Sequence, residues 1–124
     1  MLAQFESILQ MRQEVELISK DVEICREIGQ ILYEAAPDGA KKIAMKASLV
    51  PEGDVCTFEY DYVNSDGKSD WFLPSDGLVD QNLRKLLFIH REFFVSQNQP
   101  PWKVFLFSMD VDSGKFSLEL SYDD

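Results

Sequence analysis

The chain holds one histidine, His90, and two cysteines, Cys25 and Cys56, among 124 residues. A single histidine excludes any multi-histidine metal site, and His90 falls on the apolar side of a helical pattern, where it reads as a hydrogen-bonded core residue. The cysteine spacing matches neither a redox CxxC nor a zinc motif, so the expectation is two buried thiols and no metal. Asp110-Val111-Asp112-Ser113-Gly114 resembles a calcium loop only in part. Its glycine stands fifth instead of sixth, and Ser121 occupies the place of the bidentate glutamate. A β-hairpin turn accounts for the same residues. The sequence contains no GxxxxGK[ST], no GxGxxG after a strand and no GxSxG. Carboxylates remain. Glu59, Asp61, Glu119 and Asp123 alternate along two segments whose opposite faces are apolar. Acid–base work would require those segments to pair and a proton partner beside them. Without one, they read as a solvated face usable for binding. Tyr60, Tyr62, Tyr122 and Trp71 could anchor such a contact or belong to the core.

The elements that must position these groups can be read from periodicity. From Leu2 to about Ala35 the chain lacks proline, and Ile8, Met11, Val15, Ile18, Val22, Cys25 and Leu32 follow a helical spacing with Gly29 at the missed position. Ser19 or Asp21 can instead cap a shorter second helix, so the pattern allows one helix or two. Pro37-Asp38-Gly39 ends it. Residues 41 to 50 and 54 to 63 then alternate with period two and read as antiparallel strands, followed by a short strand near Lys68 to Leu73. A helix is expected from about Val79 to Gln97, between Pro74-Ser75-Asp76-Gly77 and Asn98-Gln99-Pro100-Pro101. Trp102 to Met109 is apolar at both parities, which predicts a central or doubly covered strand, and Lys115 to Tyr122 closes the chain. The order α-βββ-α-ββ predicts an α+β fold, a long N-terminal helix with an antiparallel sheet of about five strands and helices packed on it, as a single domain spanning residues 1–124.

Composition sets the partners. With 12 Lys and Arg against 22 Asp and Glu, the net charge is −10. Phosphate neutralisation is thereby excluded as a binding mode, and a basic protein is the favoured partner. Direct nucleic-acid or membrane binding is not expected. The first residues carry no basic segment and no unbroken apolar run, so a cytoplasmic location is expected. Residues 1–18 extend beyond what a five-stranded sheet needs to cover, and Ile8, Met11, Val15 and Ile18 are the candidate homodimer interface.

The C-terminal residues carry a further signal. Pro101-Trp102 before an apolar strand, Asp112-Ser113-Gly114-Lys115-Phe116 at a turn, and Ser121-Tyr122-Asp123-Asp124 at the end together resemble the YezG-like immunity or antitoxin family. The tyrosine-rich Phe58 to Tyr62 strand and a helix near Ser19 fall in that family's order, so the resemblance spans residues 19 to 124. Two features depart from it: the first 18 residues are an added helical segment, and the stretch from Val63 to Pro74 is short.

The resemblance implies a small cytoplasmic protein, without enzymatic activity or cofactor, that neutralises a cognate nuclease toxin domain delivered by secretion or cell contact. The expected contacts are Glu59, Asp61, Asp110, Asp112, Glu119, Asp123 and Asp124, with Tyr60, Tyr62 and Tyr122 as anchors. The alternative is an acidic secretion chaperone, which would hold an extended client segment instead of a folded toxic domain.

Overall fold

A computed structural model describes residues 12–122. The elements are α1 (Arg12–Ala35), β1 (Ala40–Leu49), β2 (Cys56–Asn64), β3 (Ser69–Trp71), α2 (Leu78–Ser96), β4 (Val104–Asp110) and β5 (Phe116–Ser121). This is the α+β order expected from the sequence. Ile8, Met11, Asp123 and Asp124 lie outside the described residues. Val15 and Ile18 fall on helical backbone, and their side chains are likewise outside the description.

Among the described residues, no second helix starts at Ser19 or Asp21. The 24-residue α1 runs through Ser19 and Asp21 without a break, because Asp21 caps nothing and points into the protein, fully buried. Gly29, at the missed position of the stripe, lies where α1 meets the sheet. A Cβ there would come 3.1 Å from Met109 Sδ and 3.6 Å from Phe107 Cζ, so the glycine sets how closely the helix sits on β4.

The strands form one sheet in the order β3-β2-β1-β4-β5, antiparallel throughout. Successive residues of a strand face opposite sides. On one side lie Ile43, Met45, Ala47 and Leu49 of β1, Tyr60 of β2, Phe105 and Phe107 of β4 and Leu118 of β5, all buried in one cluster with Ile24, Cys25, Ile28 and Leu32 of α1 and Leu83 and Leu87 of α2. Both helices thus pack on this covered face. The central strand is β1. Of the two expectations for β4, the interior position holds, since it pairs with β1 on one edge and β5 on the other, and the double covering does not: Leu106 on its other side is 37% exposed, because no second layer of described residues covers that side. No helix among the described residues is long and apolar enough to cross a membrane.

The β1–β2 loop is tied down by α2. Gly53 adopts φ +80, and a Cβ there would lie 2.3 Å from the Phe88 ring. Arg84 donates to the Gly53 carbonyl at 2.9 Å, and the buried Arg91 donates to the carbonyls of Leu49, Val50, Pro51 and Trp102 at 2.9–3.4 Å while lying 5.7 Å from the Trp102 ring centroid. A guanidinium buried this way has its donors matched by backbone dipoles, with no carboxylate needed.

Candidate functional site

The residues best suited to chemistry by type meet inside the core. His90 and Asp21 are both fully buried, one from each helix, and His90 Nε2 lies 2.5 Å from Asp21 Oδ1. Trp102 Nε1 donates to His90 Nδ1 at 3.1 Å. An indole N–H can only donate, so Nδ1 accepts, the ring proton sits on Nε2, and the imidazole donates to Asp21. The Cys25 thiol donates to the same carboxylate oxygen at 3.8 Å. Asp21 Oδ2 has no partner among the described residues.

Nucleophile, carboxylate and imidazole are therefore close together, yet in the wrong arrangement for catalysis. The thiol is bonded to the acid and not to the base. Burial first, then the charge of Asp21 and the bond to it, pushes the Cys25 thiol far above its ordinary range, which suppresses the thiolate that reaction would need. With Cys25, His90 and Trp102 all at 0% exposure, no substrate reaches them. His90 is the hydrogen-bonded core histidine expected from its place on α2. Cys56 is half-buried instead of buried, and burial is the main cause that raises its thiol to about 12. Among the described residues, no three His, Cys, Asp or Glu side chains converge as a metal site would require.

The candidate binding site is the opposite, open face of the sheet. The register lays its side chains out in rows across the strands. One row reads Glu59, Lys46, Leu106, Glu119; the next reads Trp71, Asp61, Ala44, Ser108, Ser117; a third has Val63, Lys42 and Asp110. Short residues thus lie between lines of long ones. Two overlapping clefts result, of about 450 and 580 Å³, the first lined by Lys42, Asp61, Asp110 and Lys115 and the second by Lys46, Glu59, Leu106 and Glu119.

The expected contact residues divide between the two faces. Glu59, Asp61, Asp110 and Glu119 share the open one. They do not form one acidic cluster, because β1 and β4 separate β2 from β5. Three strand spacings put Glu59 and Glu119 about 14 Å apart. Between them stands Lys46, whose Nζ is 4.0 Å from Glu59 Oε2. With Lys42 and Lys115 also present, the face is acid-rich but interleaved with lysines. Asp112 is in the β4–β5 turn, 3.4 Å from Lys41 Nζ, and Ser113 Oγ donates to Asp110 Oδ2 at 2.9 Å. That turn closes with Gly114 at φ +71 and Gly114 N donating to the Asp110 carbonyl, the hairpin geometry expected there.

The tyrosine expectations need correction. Tyr60 is 3% exposed on the covered face, bonded to Asp80 at the start of α2 and stacked on Phe58, so it is a core residue and not an anchor. Burial, then the Asp80 bond, pushes its phenol upward. Tyr62 is on the same covered side, half-buried and edge-on to Phe72 at 5.9 Å. Tyr122 is exposed beyond the end of β5. The exposed aromatic on the open face is Trp71, 66% accessible, directly across from Asp61. Sequence reasoning missed Asp21 and Arg91 as buried charged residues; only their places among the apolar positions of two helices signalled them.

No protein-family model matches the chain, and no curated protein matches it at a significant level.

Proposed function

We propose that the chain is an immunity protein, which binds a cognate nuclease toxin domain and neutralises it by covering its active site or nucleic-acid groove. The observation that supports this most is the open sheet face. It carries Glu59, Asp61, Asp110 and Glu119 with an exposed Trp71, while the Asp21, Cys25 and His90 cluster is sealed in the core. A nuclease presents lysine and arginine where phosphates lie, and a surface that carries carboxylates, one of them directly beside an exposed aromatic side chain, complements that region. The net charge of −10 adds long-range attraction for a basic partner. Inhibition is stoichiometric, works in the cytoplasm and needs no cofactor. The C-terminal resemblance to YezG-like immunity proteins points the same way.

The test is a cleavage assay. The C-terminal domain encoded by the gene immediately upstream is given RNA and DNA substrates with increasing amounts of this protein. Loss of cleavage that saturates near one-to-one is expected, and it also identifies the substrate. Absence of a nuclease there, or binding only to an extended segment that proteases still cut, would replace this reading with the secretion chaperone.

A further inference from the structure

The three most exposed large apolar side chains among the described residues fall within one short run: Trp71 at 66%, Leu73 at 71% and Leu78 at 58%. Phe72 between the first two turns inward, 7% exposed, so Trp71 and Leu73 both turn to the open side. In the β2–β3 register Trp71 faces Asp61. The Phe72 N–H to Tyr60 carbonyl bond, 3.0 Å, carries the pairing one residue past β3, and the same register continued would set Leu73 opposite Glu59. Two exposed apolar side chains thus line the outer edge, with two carboxylates directly inside them. Side chains opposite each other on paired strands lie about 5 Å apart at Cβ.

The backbone of this edge offers little to an added strand. Bonds from Asn64 N to the Lys68 carbonyl and from Phe72 N to Tyr60 turn alternate groups of β3 toward β2, which leaves Ser69 and Trp71 facing outward. The Trp71 N–H is already taken by Asp70 Oδ1 at 2.8 Å, and the strand is only three residues long. A partner therefore meets the side chains and not the peptide groups.

We propose that Trp71, Leu73, Asp61 and Glu59 form an arginine-capturing contact for a basic protein surface. It rests on the immunity reading and names the part of the toxin engaged. A guanidinium lies flat on the Trp71 ring and reaches the Asp61 carboxylate, while an apolar neighbour of that arginine covers Leu73. Arginine suits this site better than lysine, because only its planar group can stack on the indole and donate sideways at once. Glu59 is free to turn toward the ligand, since its contact with Lys46 is long and exposed on both sides. The arginine held this way is one that the nuclease would otherwise place against phosphate.

The protein's own fluorescence tests this. Of its two tryptophans Trp102 is fully buried, so acrylamide quenching reports Trp71. Adding the upstream-encoded toxin domain is expected to remove the quenchable fraction. Trp71→Ala is expected to weaken inhibition about 30-fold or more, and Asp61→Asn with Glu59→Gln to slow association and flatten its salt dependence. If the unaltered protein inhibits one-to-one but Trp71 remains quenchable and Trp71→Ala inhibits equally well, the arginine contact is wrong and the immunity reading stands. If the unaltered protein does not inhibit, both fall. The quenching measurement uses no variant, so a folding defect in one cannot obscure the result.

Discussion

The same five strands present two faces built from alternate residues, and the faces solve different problems. On β1, Ile43, Met45, Ala47 and Leu49 go beneath the helices while Lys42, Ala44, Lys46 and Ser48 stay outside. The covered side has absorbed most of the residues whose types suggest chemistry: His90, Asp21, Cys25 and Tyr60 are each hydrogen-bonded there. The open side holds short residues, scattered charges and one exposed tryptophan. Most of the reactive side chains in this protein are used in its core, and the plainer surface is the one the proposed function assigns to a partner. Substitutions should therefore separate sharply into those that cost stability and those that do not.

The largest contrast is between the two tryptophans. Trp102→Ala removes a fully buried ring, leaves His90 Nδ1 without its donor and takes away the aromatic surface beside the Arg91 guanidinium. A loss of about 3–5 kcal/mol in urea denaturation is expected, a large share of the roughly 5–15 kcal/mol available to such a domain. Trp71→Ala should change the same transition by about 0.5 kcal/mol at most. Equal effects would mean that Trp71 is covered in solution.

Next comes Arg91. Its fork reaches four carbonyls, which one ammonium cannot do, so Arg91→Lys should cost about 2 kcal/mol, little less than Arg91→Met. Lysine restoring full stability would show that charge alone, and not the fork, holds the β1–β2 loop against α2.

These two sites also mark where sequence reading succeeded and where it stopped. The alternation of Ile43 to Leu49 gave β1 its buried side, and the glycine and proline clusters bounded the elements from the end of α1 onward to within a few residues. Parity along β2 already separates Glu59 and Asp61 from Tyr60 and Tyr62, so grouping all four as one contact surface ran against the strand's own period. Strand order was the harder matter. Nothing local to Glu59 or Glu119 says that β1 and β4 stand between them. Arg91 was illegible for a related reason: its partners are carbonyls contributed by a loop some 40 residues earlier, and a charged side chain on a helix gives no sign that such acceptors await it. Asp21 could be read as a helix cap because a cap and a buried acceptor use the same side chain. The open face was legible in composition, but the exposure of Trp71 depends on β3 being an edge strand.

The covered face should also respond to pH. Burial raises the Cys56 thiol from 9.0 to about 12, and Cys25 and Tyr60 are pushed higher still. In each case the folded state holds its proton more tightly than the unfolded chain. The Cys56 contribution is complete below pH 9 and is lost as pH rises from 9 to about 12, and that of Cys25 and Tyr60 is lost at higher pH. Melting temperature should fall across that window, and thiol labelling at pH 8 should be slow until the protein is denatured. Rapid labelling of the native protein would show that the core around the thiols opens readily.

The smallest expected effect on stability is the most informative about function. Glu59→Lys, Asp61→Lys and Glu119→Lys each alter one exposed position on the open face, and Glu59 loses only a contact of 4.0 Å between side chains that are 51% and 73% accessible. Each should shift unfolding by about 0.5 kcal/mol or less. Combined, they reverse the acid excess that attracts a basic partner, so the on-rate for the toxin domain should drop and lose its dependence on salt while the melting curve stays in place. A triple variant that associates at the unaltered rate would place the contact elsewhere. One that unfolds early would mean that the open face is part of the stability of the fold, and the division between the two faces would fail with it.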